Sequence, residues 1–308
     1  MASAQFVDEG GEAERSNFFV RNHSFAPYLW MLLGCFFTAW MSQSAHLLRD
    51  SCDWRIIALA RSGLAFLLAV GLARLSGAQL VLWRPGALWL RGCASSASLL
   101  CTFFALGQLP TSEVLTLTNT FPIWVAFLSW PLLRIKPSLS VWLAAGCGVF
   151  GVALIQSPHF QADLQASRAV LLSLTAALTS AVAMLGLHRL KGIHPWAIVA
   201  HYSGVATLFV LATWAIGGLP DLSVLADRRT LFLLLGVGLT ATLGQVCVTQ
   251  AFTSGPPARV SVAGLTQIIF ALGLDLLFQG PNVQPLTLAG IGLVLAPTAW
   301  MMSARATP

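Results

Sequence analysis

Along most of this chain apolar residues run together in stretches of about 20, long enough for a helix to cross the roughly 30 Å of hydrocarbon in a bilayer. Polar residues collect in the short segments between them. Windows of this kind predict spans at 27–47, 54–74, 87–108, 112–133, 138–156, 168–187, 195–216, 230–252, 257–278 and 284–303. Several boundaries carry helix-start chemistry: Pro27, Pro195 and Pro257 stand where a missing N–H costs nothing, and Thr111 or Ser112 can cap the fourth span. Tryptophans, which favour the headgroup region, recur near the ends at Trp30, Trp54, Trp83, Trp89, Trp130, Trp196, Trp214 and Trp300. The expected fold is an all-α integral membrane protein of ten transmembrane helices. Residues 1–25 lack the apolar core of a signal peptide and read as a flexible tail, with a second short tail at 304–308.

Composition agrees with this pattern. Of the 308 residues 56% are hydrophobic and 9% charged, where ordinary globular chains carry about 25% charge. The net charge of +6 comes with only two lysines, Lys136 and Lys191, and with no basic cluster interleaved with aromatics, so no nucleic-acid partner is expected. It reads as membrane topology instead. Eleven Lys and Arg fall on the side of the termini, five on the other side, and Arg61 inside a span, which places both termini in the cytoplasm of a multi-pass protein of the inner or plasma membrane. Six cysteines lie singly, mostly in apolar stretches, and support neither a disulfide framework nor a metal site. No Gly-x-x-x-x-Gly-Lys loop is present, so no ATP-driven pump and no cofactor is expected.

The chain also resembles itself. Trp54-Arg-Ile-Ile-Ala-Leu-Ala-Arg-Ser-Gly matches Pro195-Trp-Ala-Ile-Val-Ala-His-Tyr-Ser-Gly at an offset of 141, setting Ser62-Gly63 on Ser203-Gly204. At an offset of 146, Ala105-Leu-Gly-Gln-Leu-Pro-Thr-Ser-Glu-Val runs parallel to Ala251-Phe-Thr-Ser-Gly-Pro-Pro-Ala-Arg-Val. Gly146, Gly148 and Gly151 find an echo in Gly290 and Gly292. Five spans is an odd number, so the second half is inverted relative to the first, an architecture that secondary transporters use to alternate access between the two sides. The two halves are expected at 26–157 and 158–303.

On these residues the chain resembles the EamA-type family of the drug/metabolite transporter superfamily. The resemblance covers about residues 27–303 and rests on Ala60-Arg61-Ser62, on Leu109-Pro-Thr-Ser-Glu113, and on the glycine-rich fifth and tenth spans. It implies two EamA repeats, cytoplasmic termini, a central substrate cavity and export or exchange of small metabolites. Members often carry an acidic residue at the ends of spans four and nine, where this chain has Leu133-Arg134 and Gln279-Gly280.

Candidate chemistry is sparse. Arg61 lies about 10 Å inside the second span, where a guanidinium must face water, find a partner or snorkel to the interface. Glu113 begins the fourth span, either as a helix-end carboxylate or as a gate partner of Arg61. Asp275 is the other acid within a span and a candidate for ion coupling. His201 and Tyr202 enter span seven and could titrate or bind a solute, although a lone histidine there is more often hydrogen-bonded structure. Asn119 and Gln267 are the neutral candidates for substrate contact, competing with interhelical hydrogen bonds. Trp124, with Trp40 and Phe103, could stack on a solute or simply fill the bundle.

These readings point to a secondary transporter for an amino acid or related organic solute, with a nucleotide-sugar-like or other polar metabolite as the alternative. The expected partners are the solute and the bilayer, and a homodimer stays open. No catalytic residues are expected: His201 and Ser203 are two residues apart in a helix and point away from each other, and Asp275 has no evident second aspartate mid-membrane. A channel is disfavoured because no charged ring or repeated filter motif occurs.

Overall fold

A computed structural model describes residues 9–48, 51–83, 85–106, 111–156, 167–279 and 284–303. Among them the structure is all helix: α1 (Glu9–Leu48), α2 (Trp54–Leu75), α3 (Gly86–Leu106), α4 (Thr111–Thr118), α5 (Phe121–Leu133), α6 (Leu139–Gln156), α7 (Ser167–His188), α8 (Pro195–Gly217), α9 (Arg228–Ser254), α10 (Pro257–Gly264), α11 (Gln267–Gln279) and α12 (Pro285–Ser303). A single 3-10 turn, Ser223–Ala226, precedes α9. Seven helical stretches are long and apolar enough to cross a membrane, and Leu139–Ile155 is an apolar helix of shorter length.

Apolar side chains point both ways in this bundle, but their sizes differ. Leu67, Phe127, Phe150, Leu171, Leu208, Phe232 and Leu277 face outward, whereas much of the interior is alanine, including Ala58, Ala65, Ala69, Ala73, Ala176, Ala177 and Ala181. Lipid tails are as apolar as leucine, so helices in a bilayer associate through close van der Waals contact between small residues. Gly238 of α9 shows how close. A Cβ there would lie 2.5 Å from Leu64 Cβ and 3.0 Å from the Ala60 carbonyl oxygen on α2. Gly151 of α6 and Gly290 of α12 meet backbone to backbone in the same way.

The packing partners come in matched sets. α1 lies on α9 as α7 lies on α3, and α2 touches α9 as α8 touches α3. α1 also meets α10 and α11, as α7 meets α4 and α5. α2 on α8 and α6 on α12 close the scheme.

Three expectations need correction. Pro27 does not open the first helix: α1 starts at Glu9 and Pro27 sits inside it, although the apolar stretch itself runs Phe25–Leu48, close to the expected 27–47. Pro195 and Pro257, by contrast, do open α8 and α10. Spans four and nine are not continuous: each is an eight-residue helix followed by a thirteen-residue one, α4 with α5 and α10 with α11. The bounds of the two pairs are related by the same offset of 146. Finally Arg91, counted above as a cytoplasmic flank, is buried within α3 with 1% exposure.

Side chains reinforce the backbone at the breaks, most of whose carbonyls also accept a backbone N–H, as a low-dielectric medium favours. Thr120 Oγ1 donates to the Leu117 carbonyl at 2.6 Å, and its counterpart Thr266 Oγ1 donates to the Ala263 carbonyl at 2.8 Å. Asn119 Nδ2 donates to the Leu115 carbonyl at 2.8 Å. At the second break the Cys35 thiol of α1 donates to the Gly264 carbonyl at 3.4 Å.

Candidate functional site

Where α2, α3, α8 and α9 converge, Arg61, Ser62, Ala65, Leu99, Tyr202, Ser203, Ala241 and Gln245 line a central cavity. Six of these eight residues form three corresponding pairs. Arg61 and Ser62 correspond to Tyr202 and Ser203 at the offset of 141, and Leu99 corresponds to Gln245 at 146. The space left open is about 10 Å³ for the centre of a water molecule, room for a water rather than a solute. The cavity as described is therefore closed.

Arg91 is the strongest polar feature beside it. Its stem runs along α3 past Gly186 of α7, whose missing side chain leaves a Cβ position 3.6 Å from Arg91 Cβ. Its Nη1 donates to Ser95 Oγ one turn along the helix, and its Nη2 donates to Gln245 Oε1 at 3.0 Å. The guanidinium sits 4.4 Å from the centroid of the Tyr202 ring, within cation–π range. Its Nε has no hydrogen-bond partner. Sequence reasoning missed Arg91 because it lies five residues into α3, where topology counting treats arginine as a flank. The signal that would have found it is a polar stripe on that helix, Arg91, Ser95, Ser98 and Thr102, at helical spacing in an otherwise apolar span. Ser98 uses its hydroxyl to cross to α7, bonding the Ala176 carbonyl at 2.9 Å and Ser180 Oγ at 2.7 Å.

Of the residues singled out from sequence, the structure brings Arg61 and Tyr202 to the cavity. Arg61 is half-buried and makes no hydrogen bond or ion pair among the described residues. Ser62 Oγ is occupied by the Ala58 carbonyl at 2.8 Å, but Ser203 Oγ, buried at 1% exposure, has no partner. His201 is buried on the next face of α8, with its ring 4.9 Å edge-on to Trp89. Both of its ring nitrogens approach no partner in hydrogen-bond geometry, the Leu82 backbone being the nearest acceptor that acts on it.

Asn119 and Gln267 lie instead at the two helix breaks, both half-buried, with Asn119 spent on its own helix. Those breaks approach each other, since a Cβ on Gly264 would stand 3.1 Å from Phe121 Cζ. Trp124 packs into the core between α5, α6 and α10. Trp40 is exposed on α1 beside Phe36. The side chains of Glu113, Asp275 and Phe103 lie outside the described residues, so the pairing of Glu113 with Arg61 and the coupling role of Asp275 stay expectations.

A wider groove of about 520 Å³ lies at the turn from α5 to α6, lined by Phe127, Trp130, Pro131, Lys136, Pro137 and Trp142. Phe127 and Trp130 are exposed there, so this groove faces the outside of the bundle and not its centre. At the far ends of two helices, short-range chemistry is more conventional. Asp53 caps α2 by accepting from the Arg55 N–H at 2.8 Å and pairs with the Arg55 guanidinium, which holds its carboxyl below the usual carboxylate range. Asp227 caps α9, and the Thr230 hydroxyl and N–H lower its carboxyl likewise.

Apolar helices that turn large residues outward and enclose a small polar cavity define a multi-pass integral membrane protein of the transporter class. Comparison with known sequences makes this specific: the chain belongs to the EamA-like transporter family, whose model matches residues 25–157 and again residues 167–303. The pseudopaline exporter CntI of Pseudomonas aeruginosa is 28% identical over 241 residues, covering 78% of this chain and 82% of that protein. A probable transport protein of Saccharomyces cerevisiae is 25% identical over 242 residues, covering 71% of this chain and 67% of its own. A crystal structure superposes with a TM-score of 0.77 over 92% of this chain and 98% of its own, at 12% identity, a likeness of fold alone.

Proposed function

We propose that this protein is a secondary transporter that moves a small organic metabolite, an amino acid or a related solute, by alternating access, in the direction of export or exchange. One observation carries the reading: a small central cavity is lined largely by corresponding residues of two chain segments. In an inverted repeat, two halves that can exchange conformations open such a cavity first to one side and then to the other. The matched packing pairs and the two equally broken spans support ten crossings in two five-span halves, 26–157 and 158–303, and the two family matches fall on those halves. Broken spans are where transporters of other folds place substrate and ion contacts, which keeps Asn119 and Gln267 in view.

The orientation follows from charge. Without Arg91 the count is ten Lys and Arg on the side of the termini against five, which still favours cytoplasmic termini in the inner or plasma membrane. Counterflow into proteoliposomes loaded with unlabelled amino acids and carboxylated metabolites tests the carrier reading. Saturable uptake stimulated by solute on the far side is expected. Flux that rises linearly with concentration and ignores the far side would mark a channel and sink the proposal.

A further inference from the structure

From two guanidinium groups at the central cavity that meet no carboxylate among the described residues, Arg61 in its lining and Arg91 packed on its lining residues Tyr202 and Gln245, we infer that the solute is a net anion bearing at least two carboxylates, held by Arg61 and Arg91. The inference rests on the carrier reading above and adds the substrate class to it.

Arg61 reaches the cavity from α2, and Arg91 of α3 holds two of its lining residues, with the guanidinium 4.4 Å from the Tyr202 ring centroid and Nη2 3.0 Å from Gln245 Oε1. Among the described residues no carboxylate faces either one. Asp53 is paired with Arg55, Asp221 with Ser223, and Asp227 caps α9, all at helix ends. A buried charge without a partner is costly, and ionisable groups inside a membrane mark solute or ion pathways. Arg91 is buried at 1% exposure, yet its bonds to Ser95 and Gln245 engage only two of the five N–H groups a guanidinium offers. Its Nε is unpartnered, as is the buried Ser203 hydroxyl across the cavity. Arg61 spends none of its donors among the described residues.

These free donors match a carboxylate, which takes two parallel N–H bonds from a guanidinium. Charge then selects among solutes. A dianion neutralises both arginines. A zwitterionic amino acid leaves the pair uncompensated and adds an ammonium beside it, and an organic cation is repelled outright. Ser203 Oγ and Gln245 are left to orient the neutral part of the solute. The cavity must widen from its present size to admit one, as the opening of either half would do.

The test uses the full-length protein in proteoliposomes and in detergent. Labelled succinate, glutarate and citrate are compared with alanine and choline, by counterflow and by the shift each gives to the unfolding midpoint. The dicarboxylates and tricarboxylate should exchange and raise the midpoint, and alanine and choline should do neither. Arg61→Gln should raise the half-saturating concentration about 30-fold or more, the effect of removing one member of a buried charge pair, and abolish the midpoint shift. Arg61 loses no internal partner on substitution, so this variant is informative even if Arg91→Gln fails to fold. Arg91→Lys, which keeps charge but loses the fork, should retain more binding than Arg91→Gln. Exchange of alanine or choline without any response to the acids would overturn the anion site while leaving a carrier. A midpoint shift by the acids without exchange would keep the anion site and sink the carrier. Neither exchange nor shift with the acids would remove the anion site.

Discussion

Gly151→Ala should destabilise the bundle measurably, although alanine is the better helix former. The ideal Cβ at Gly151 lies 2.7 Å from the Gly290 carbonyl oxygen, 2.9 Å from Leu293 Cβ and 3.0 Å from Val294 Cγ2. Ordinary carbon–oxygen contacts fall near 3.3–3.6 Å, so α6 and α12 must part by roughly 0.6–0.9 Å along that line. The obstacle is backbone, which cannot rotate aside as a side-chain tip can. Overpacking of this kind costs about 1–3 kcal/mol, and removing a helical glycine returns about 1 kcal/mol, leaving a net loss of up to about 2 kcal/mol. Gly290→Ala should act alike, since its Cβ would meet the Gly151 carbonyl at 2.6 Å and Ile155 Cγ1 at 2.7 Å. The double variant should lose less than the two losses added together, because helices parted by the first methyl group already make room for the second. Thermal unfolding in detergent, followed by tryptophan fluorescence, reads the loss. Gly146→Ala is the internal control: it lies on the same helix with nothing within 4 Å, and should be neutral or stabilising. Equal midpoints for the Gly151 and Gly146 variants would refute the close approach of α6 and α12.

Thr266→Val and Thr120→Val each remove a hydroxyl that adds a second hydrogen bond to a carbonyl at a helix break, and each should lower stability by about 1 kcal/mol in the same unfolding assay. Arg134 ends α5 at a φ of 58°, a left-handed conformation that disfavours a side chain, so Arg134→Gly should stabilise by about 1 kcal/mol, and a loss there would show that the arginine has a role beyond ending the helix. Asp53→Ala should cost about 1 kcal/mol through the lost cap of α2. Hydrogen bonds from Arg55 lower the folded-state pKa of Asp53, so its contribution is fully present above the ordinary carboxylate value near 4 and fades as pH falls through the lower folded one. An acid titration of the unfolding midpoint should therefore separate wild type from Asp53→Ala at neutral pH and bring them together only well below pH 4.

What the sequence determines by itself is set by local rules. Hydrophobic length, charge scarcity, prolines at Pro195 and Pro257, and the offset matches are all readable along one dimension, because a bilayer demands about 20 apolar residues per crossing whatever the neighbours do. Arg61 was visible for the same reason, as a charge where charge is expensive. Tertiary structure decided the rest. Arg91 near a span end reads as topology until α7, α8 and α9 are known to surround it, since burial is a property of neighbours and not of position along a helix. The breaks at Asn119–Thr120 and Leu265–Thr266 fall on polar residues that the sequence offers only as solute or interhelical contacts; that the helices stop there shows once Thr120, Thr266 and, from α1, Cys35 are seen to bond carbonyls at the breaks. The pairing of Gly151 with Gly290, and of Arg61 with Tyr202 across one cavity, required the helices to be placed against each other, which no one-dimensional pattern of apolar residues can do in a medium where every outward face is apolar alike.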